Sequence, residues 1–380
     1  MPRKKPNGET VKMLKTLIFS TTALAFGASA AFAADITAMS WDDIVAKAKQ
    51  EGEVNWYVWY FQDDFRKVVA PFEEKYGIKV NIPAGGTASG NADKLLAASG
   101  SDTGDIDVFA WGYGDMSTLD FARLFTPLSM LPEDAGRINT VNNIDGGDYV
   151  YAYWGNQTGI AYDPAKVDEN ALPQTPEDFS AFWEGNPGKF GFNYENGGSG
   201  PSFYSNILRV LSGLDFNDGD DSAARIEALE PGFAFFNDYA DDYVITTSNA
   251  DSIIRMSDGE LFMAPVWEDH LASLQKSGEA RKDLKLYIPE MGMNGGGNGV
   301  AIPQNAPHPA AAALLIDWLT SPETQTTFNA TFGTAPMNAN ADDSNALISN
   351  DQRQYSVPGA AQPFKTAMEE AFVDNVILER

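Results

Sequence analysis

The apolar positions follow helical and strand periods in alternation along most of the chain. In residues 41–51 they recur three and four apart behind Ser40, a good helix N-cap, and Gly52 follows as a stop signal. Residues 54–60 are instead rich in β-branched and aromatic side chains, which is typical of a strand. The same reasoning predicts helices at 65–76, after 90, and at 175–183, 202–211 and 308–319, and strands at 78–82, 106–111, 190–193, 260–267, 284–289 and 295–303.

This alternation predicts an α/β fold built from two series of helices and strands. Residues 149–154 and 159–162 look like two strands, and the segment between them is expected to link one series to the other. Open α/β sheets bind ligands beyond the carboxyl ends of their strands. A cleft between two such lobes is therefore a natural site for a small ligand.

The N-terminal segment has the features of a secretory signal. Lys12 and Lys15 precede an apolar stretch at 17–26, and the run 31–33 fits the small-x-small cleavage rule. Residues 1–33 are therefore predicted to be removed in export, with either Met1 or Met13 as the start of translation. No cysteine follows the cleavage point, so a periplasmic protein without a direct membrane anchor is expected.

Composition excludes several classes of function. The 380 residues include 53 acidic and 26 basic side chains, a formal net charge of −27 at pH 7. That excess of negative charge argues against nucleic acid and against anionic lipid as partners. Cysteine is absent, and His270 and His308 are the only histidines. Neither a metal nor a cofactor is therefore expected.

Four stretches resemble one known family, the extracellular solute-binding proteins of ABC importers, in the branch of the spermidine/putrescine-binding proteins. They are residues 55–65 with the following 76–80, residues 104–109, residues 258–267, and residues 299–325. The last stretch, which contains Val-Ala-Ile-Pro and Asp-Trp-Leu-Thr-Ser-Pro-Glu-Thr-Gln, is the most specific. Together they span most of the chain behind the predicted signal.

The resemblance implies a two-lobed, type II-like periplasmic-binding-protein fold whose hinge strands allow closure on one small solute. Lobe 1 would comprise residues 34–153 and 292–335, and lobe 2 residues 154–291 and 336–380. The partners implied are a small-molecule solute and the membrane permease subunits of an ABC transporter. The protein is expected to be a monomer without catalytic activity.

Ligand contacts in the polyamine branch come from aromatic rings and carboxylates at strand ends, since ammonium groups gain from both. Core packing is the alternative role for each ring. The matching positions here are Trp59, Gln62, Trp111, Tyr113, Tyr194, Glu195, Trp267, Glu268, Asp269 and Asn298.

Two departures from the polyamine pattern leave the solute open. The tract 295–299 is Gly-Gly-Gly-Asn-Gly, so Asn298 stands where an aspartate is expected and the preceding aromatic is missing. Gln62 stands where a tyrosine is expected. A polyamine-like amine, a neutral polyol or sugar, and a thiamine-like or quaternary monocation all remain possible. Iron carriage is not expected, because the chain has no adjacent pair of tyrosines.

Two other interpretations compete with this one. A secreted hydrolase would need two facing carboxylates, for which Glu195, Glu268 and Asp269 are candidates. Neither histidine is accompanied by a Gly-x-Ser-x-Gly elbow, which argues against a serine triad. The loop 85–90 joins a strand to a helix, where its N–H groups either cradle an anion or serve as a plain turn and cap.

Overall fold

The fold was analysed in a computed structural model, which describes residues 36–142, 144–349 and 351–380. The predicted signal at 1–33 lies outside these residues. Within them, no helix combines the length and the apolar character needed to cross a membrane.

Helices contain more of the described residues than strands do. A short 3-10 turn at Ile36–Ala38 precedes the first of them, and a π-helical turn at Val373–Ile377 ends the series. The α-helices are α1 (Trp41–Glu51), α2 (Gln62–Val68), α3 (Ala70–Tyr76), α4 (Ala88–Ala98), α5 (Tyr113–Met116), α6 (Phe121–Leu124), α7 (Pro176–Gly185), α8 (Ser199–Ser212), α9 (Ala223–Glu227), α10 (Glu230–Asp238), α11 (Asn249–Ser257), α12 (Glu268–Ser277), α13 (Pro309–Leu319), α14 (Pro322–Phe332) and α15 (Phe364–Phe372).

The strands form two main sheets and two small ones. The strands are β1 (Glu53–Tyr57), β2 (Lys79–Asn81), β3 (Val108–Gly112), β4 (Phe125–Thr126), β5 (Thr140–Val141), β6 (Ile144–Asp145), β7 (Tyr151–Trp154), β8 (Thr158–Tyr162), β9 (Phe190–Asn193), β10 (Tyr243–Thr246), β11 (Met263–Trp267), β12 (Lys285–Tyr287), β13 (Met293–Asn294), β14 (Asn298–Pro303) and β15 (Ser356–Val357).

Local capping signals position several helices where the sequence predicts them. Ser40 accepts the N–H of Asp43 at the start of α1, and Gly52 ends that helix in the left-handed region. Thr175 and Asp178 form a reciprocal capping box at α7. The predicted helix 65–76 is instead two helices, α2 and α3. Pro71 in the first turn of α3 has no N–H to continue the hydrogen bonds of α2.

The first sheet has six strands in the order β2-β1-β3-β14-β4, and β7 also pairs with β14. Strands β1, β2 and β3 run parallel, while β14 is antiparallel to β3. Helix α13 covers this sheet with a nearly continuous buried surface, because its alanines allow close packing and its leucines fill the core. Val54, Trp56, Val108 and Val300 belong to the same hydrophobic core.

The second sheet has five strands in the order β10-β9-β11-β8-β12. Strands β9, β10 and β11 are parallel, and β8 is antiparallel to both of its neighbours. An aromatic core lies against it, in which Trp183, Phe190, Phe203 and Phe236 are fully buried. The sheet therefore has its own core, separate from that of the first.

Short crossover segments connect the two sheets. The chain leaves the first sheet at β7 and enters the second at β8, as predicted from the two adjoining strands. Isolated bridges pair Gly155 with Ala335 and Gln157 with Gly295, so three crossover segments lie side by side. The residue-level boundaries of the two lobes stay a prediction.

Candidate functional site

The carboxyl ends of parallel strands carry the predicted aromatic residues. Trp59 follows β1, Trp111 is the penultimate residue of β3, Tyr194 follows β9, and Trp267 is the last residue of β11. All four side chains are partly buried. Such strand ends are where open α/β sheets bind ligands.

Trp59 and Gln62 line a pocket of about 410 Å³ at the edge of the first sheet, between the ends of β1 and β2. The Gln62 amide donates to the Val58 carbonyl at 2.7 Å and accepts the Gly85 N–H at 3.1 Å. Gln62 therefore holds the loop that begins at Gly85 in place. The pocket is lined by Trp59, Phe61, Gln62, Asp63, Asp64, Arg66, Ala84 and Gly85.

The two acidic side chains of this pocket already have cationic partners. Asp63 pairs with Arg66, and Asp64 with Lys67 at 2.9 Å. In the loop 85–90, Thr87 caps α4 by accepting the Gly90 N–H at 3.1 Å. This contact favours the plain helix cap over an anion cradle for that loop.

Trp111 and Asn298 lie on neighbouring strands. The pairing of β3 with β14 sets Gly299 opposite Trp111 and Asn298 opposite Gly112. The Asn298 side chain is buried near Tyr60, whose hydroxyl lies 2.7 Å from that of Tyr153. Burial, together with Tyr153, raises the pKa of Tyr60 well above its ordinary value, so this group stays protonated at neutral pH.

Trp267 lies against the loop that follows β9. A Cβ atom on Gly198 would come within 3.2 Å of the Trp267 indole. Asn193 holds this loop through hydrogen bonds to the carbonyls of Glu195 at 2.6 Å and Gly197 at 3.0 Å. These two bonds hold the backbone of the loop in place beside the indole. The Glu195 side chain is exposed.

The N-terminus of α8, next to Trp267, has side-chain partners for its free N–H groups. Asn249 accepts the Ser199 N–H, and Asn193 accepts the Gly200 N–H, both at 3.3 Å. These bonds use donors that a helix start otherwise offers to an anion.

Asp269 occupies the first turn of α12 and is 6% exposed. Its carboxylate accepts the Trp154 indole N–H at 3.1 Å and the His270 N–H at 2.8 Å. The ring of His270 in turn meets the edge of Phe61 with centroids 5.5 Å apart. The residues that follow β1 and β11 therefore approach one another here.

Tyr113 and Glu268 direct their polar atoms into the protein. The Tyr113 hydroxyl donates to the carbonyls of Asn139 and Val150, and burial raises its pKa. Glu268 is fully buried and accepts two bonds from Arg353, at 2.8 and 2.9 Å. Burial raises the pKa of Glu268, although the Arg353 guanidinium acts in the opposite direction. The polar atoms of both residues therefore already have partners inside the protein.

The glycines of 295–297 are explained by close packing. A Cβ atom on Gly295 would fall 1.7 Å from the Gln157 side-chain oxygen, and one on Gly297 would fall 2.7 Å from the Trp154 carbonyl. Gly296 and Gly297 also have φ near +140°. Only glycine fits this crossover segment, so the missing aromatic has a structural cause.

A second concave region, which the sequence did not suggest, lies along the crossover segments and is called the crossover groove here. Its volume is about 420 Å³. The groove is lined by Ile138, Asn142, Asn156, Gln157, Gly296, Ala335, Pro336, Met337, Asn338, Ala339, Ala341, Asp343, Arg353 and Ser356. None of the site residues predicted from sequence is among them, because no local pattern marks residues brought together from such distant segments.

His308 has a structural role beside Asp107, as His270 has beside Phe61. The Nδ1 atom of His308 lies 2.9 Å from Asp107, and the Asp107 carboxylate also accepts the N–H groups of Asn55 and His308. This cluster lies where β1 and β3 begin, at the opposite end from Trp111. Among residues 36–142, 144–349 and 351–380, no group of three or more His, Asp or Glu side chains has an arrangement that suits a metal ion.

The chain thus has two sheets joined by crossover segments, and aromatic side chains lie at strand ends of both sheets. The profile of the bacterial extracellular solute-binding proteins matches residues 67–354. The chain therefore belongs to the bacterial extracellular solute-binding protein family. No curated protein sequence matches it.

Solved structures confirm the two-lobed periplasmic-binding-protein fold. The spermidine/putrescine substrate-binding protein PotD of Streptococcus pneumoniae is 14% identical, with a TM-score of 0.64, over 86% of this chain and 99% of that one. UgpB of Mycobacterium tuberculosis, in complex with glycerophosphocholine, is 16% identical, with a TM-score of 0.64, over 85% and 96%. Iron-bound HitA of Pseudomonas aeruginosa is 18% identical, with a TM-score of 0.57, over 85% and 97%. At these identities the similarity shows the fold alone.

Proposed function

We propose that this protein captures a small polar solute in the periplasm and delivers it to the membrane permease subunits of an ABC importer, acting as a monomer. The observation that carries the proposal is the pair of partly buried indoles, Trp111 and Trp267, at the strand ends of two different sheets. We further propose that they lie on the two sides of the solute, with Trp59, Gln62, Tyr194, Glu195, Asp269 and Asn298 around them.

The charges at these strand ends favour some of the solute classes that the sequence leaves open over others. Asp63 and Asp64 are paired with basic side chains, and Asp269 accepts two N–H groups. Few carboxylates are therefore available for a polycation such as spermidine, the ligand class in the name of PotD. This arrangement supports a neutral polyol or sugar, or a monocation, over a polyamine.

The same contacts argue for binding without catalysis. A hydrolase needs a carboxyl group able to exchange a proton with the substrate. Glu268 is fully buried against Arg353, and Asp269 is held by Trp154. Two of the three candidate acidic residues, Glu268 and Asp269, therefore have structural partners, and the exposed Glu195 is left without a second carboxylate to act with.

A thermal-shift screen of residues 34–380 tests the proposal. The library contains polyamines, polyols, sugars, thiamine, quaternary amines and organic acids. A ligand at about 100 times its Kd adds about 2.7 kcal/mol to the free energy of unfolding, which raises Tm measurably. Absence of any shift across the library, with turnover of a chromogenic glycoside, would replace the proposal by the hydrolase alternative.

The Trp267→Ala variant tests the indole contact. Its affinity for the hit from the screen should fall by about 1–3 kcal/mol, a size typical of a well-packed aromatic contact. Trp318→Ala is the matched control, since Trp318 is also partly buried but packs on Phe72 beneath the first sheet. Equal affinities of the two variants, measured by calorimetry, would remove Trp267 from the site.

A further inference from the structure

The crossover groove is lined by two polar side chains that form no hydrogen bond within the described part of the chain. Asn156 lies in the segment that joins β7 to β8, and Ser356 lies in β15 next to β13. Both are partly buried and line the groove. No residue in the described part of the chain forms a hydrogen bond with the Asn156 amide or the Ser356 hydroxyl.

The other amides of the groove are arranged differently. Asn142 donates to the Gly295 carbonyl at 2.6 Å, and the Gln157 amide donates to the carbonyls of Thr158 and Met293. These bonds hold the backbone of the crossover segments. Asn156 and Ser356 are thus polar groups on a backbone that these bonds hold in place. A few polar groups at fixed positions give a ligand site its specificity.

The crossover groove has one basic and one acidic side chain among its lining residues. Arg353 is its basic side chain and is bound by both oxygens of the buried Glu268. Asp343 is its acidic side chain and lies in an exposed segment. The wall between them is formed by neutral side chains, and its apolar part comes from Ile138, Pro336 and Met337.

We infer that the crossover groove binds the hydroxyl groups of an uncharged polyhydroxylated solute, with Asn156 and Ser356 as specificity-determining contacts. The inference rests on the proposed function and names a solute class for the groove, which shares no lining residue with the strand-end site of Trp111 and Trp267. A side-chain amide and a hydroxyl each donate and accept, as an alcohol does, so they pair with polyols without a counter-charge. A carboxylate group would lose its hydration there without gaining a free cationic partner, because Arg353 is already bound by Glu268.

The volume agrees with this class. A cavity of about 420 Å³ falls in the range of small-molecule sites, which is roughly 300–1,000 Å³. The apolar atoms of Pro336 and Met337 suit the C–H face of a sugar or polyol. The groove therefore has one surface for the carbon skeleton and another for the hydroxyl groups.

The experiment compares neutral and charged probes of similar size on the protein of residues 34–380. Sorbitol, myo-inositol and glucose are the uncharged probes, gluconate and glucosamine are their charged counterparts, and spermidine represents polyamines. Calorimetry should show at least one uncharged probe binding at least tenfold more tightly than gluconate, glucosamine and spermidine.

Variants then locate that binding in the groove. Asn156→Ala and Ser356→Ala should each weaken the best uncharged probe about two- to tenfold, as expected for one lost hydrogen bond. Asn156→Asp should weaken it further and improve glucosamine, because it adds a carboxylate. Asn170→Ala is the control, since Asn170 is exposed in the turn that follows the far end of β8.

The outcomes separate the inference from the proposed function. Tightest binding of spermidine or gluconate, or unchanged affinity in both alanine variants, overturns the inference. Tightest binding of a charged probe that depends on Trp267 would overturn the inference but leave the proposed function intact. No binding by any probe or by the wider library would overturn both.

Discussion

The indole N–H of Trp154 donates to the carboxylate of Asp269 at 3.1 Å, and both side chains are buried. Trp154 ends β7 of the first sheet, whereas Asp269 is the second residue of α12, which directly follows β11 of the second sheet. The bond therefore ties the two sheets together beside the crossover segments. Asp269, predicted from sequence as a solute contact, also has this structural role.

Removing that carboxylate should destabilise the protein. Asp269→Ala leaves the Trp154 N–H buried without an acceptor, which costs about 1–3 kcal/mol of unfolding free energy. Asp269→Asn retains an acceptor oxygen and should lose less. Urea unfolding followed by tryptophan fluorescence measures both.

The control for this pair is Asp221→Ala, in an exposed loop. It should change the free energy of unfolding by no more than about 0.5 kcal/mol, as is usual for surface positions. If Asp269→Ala were no less stable than Asp269→Asn, the hydrogen bond to Trp154 would not contribute to stability.

The fold was predictable where its signals are local. Strand β9 has the bounds predicted from its phenylalanines, and Thr175 begins α7 as its capping chemistry indicates. Helix α14 was not predicted, because three of its five buried positions are polar. Gln325 is fully buried there and donates to the carbonyls of Tyr153 and Leu319, and Asn329 likewise donates to Thr334. Polar residues that bond long-range partners erase the apolar period on which sequence reasoning depends.

The candidate site was predictable only in part. Trp111 and Trp267 end strands, and that placement follows from short patterns. The partner of Glu268 is Arg353, 85 residues further on, and no local pattern indicates such a pairing. The crossover groove has the same origin, since Asn156 and Ser356 are brought together only by the tertiary structure.

Arg225 organises the acidic loop before α9. Its guanidinium donates to the carbonyls of Asp215 and Asp218 and pairs with the Asp218 carboxylate at 3.0 Å, while it stacks 4.6 Å from the centre of the Phe364 ring. Hydrogen bonds to a charged group contribute about 1.5–3 kcal/mol when their geometry is good. Arg225→Gln should therefore lower the free energy of unfolding by about 2 kcal/mol, measured by urea titration.

Arg255→Gln is the matched control for that substitution. Arg255 pairs with Glu260 at 2.9 Å near the surface, where ion pairs contribute about 0–1 kcal/mol. A loss in Arg225→Gln no greater than in Arg255→Gln would contradict the organising role of Arg225.

Asp163 should contribute to acid sensitivity. Burial raises the pKa of this carboxyl group, but the hydrogen bonds and charge of Arg281 and the Ala165 N–H outweigh that effect and hold the pKa below its ordinary value. A lowered folded-state pKa gives stability that is present above about pH 4 and is lost as the pH falls further. Asp163→Asn should therefore be less stable than the wild type at pH 7 and lose less stability between pH 5 and 3.

Urea unfolding at several pH values measures this slope. Asp102→Asn, at an exposed loop position outside the Arg281 contacts, is the control and should keep the wild-type slope. Parallel pH profiles for the wild type and Asp163→Asn would show that the ionisation of Asp163 is not coupled to folding.

Gly198 should control the position of the Trp267 indole. Its backbone has φ of −95°, which alanine adopts readily, so Gly198→Ala tests the side-chain contact alone. The added methyl carbon would lie 3.2 Å from the ring and displace it by a few tenths of an ångström. The proposed solute contact of Trp267 should then weaken, with a several-fold higher Kd and a shift in tryptophan emission.

Gly185→Ala is the matched control for Gly198→Ala, because a methyl group at Gly185 would meet nothing within 4 Å. It should leave both the Kd and the emission unchanged, and its place at the end of α7 should make the protein slightly more stable, since alanine favours the helix. Calorimetry with the hit from the screen and fluorescence of the free protein measure the two effects separately. An emission shift without a change in Kd would mean that Gly198 positions the indole but that the indole does not contact the solute. Wild-type values for both would mean that the loop after β9 moves to accommodate the methyl group, and Gly198 would then have no part in setting the geometry of the site.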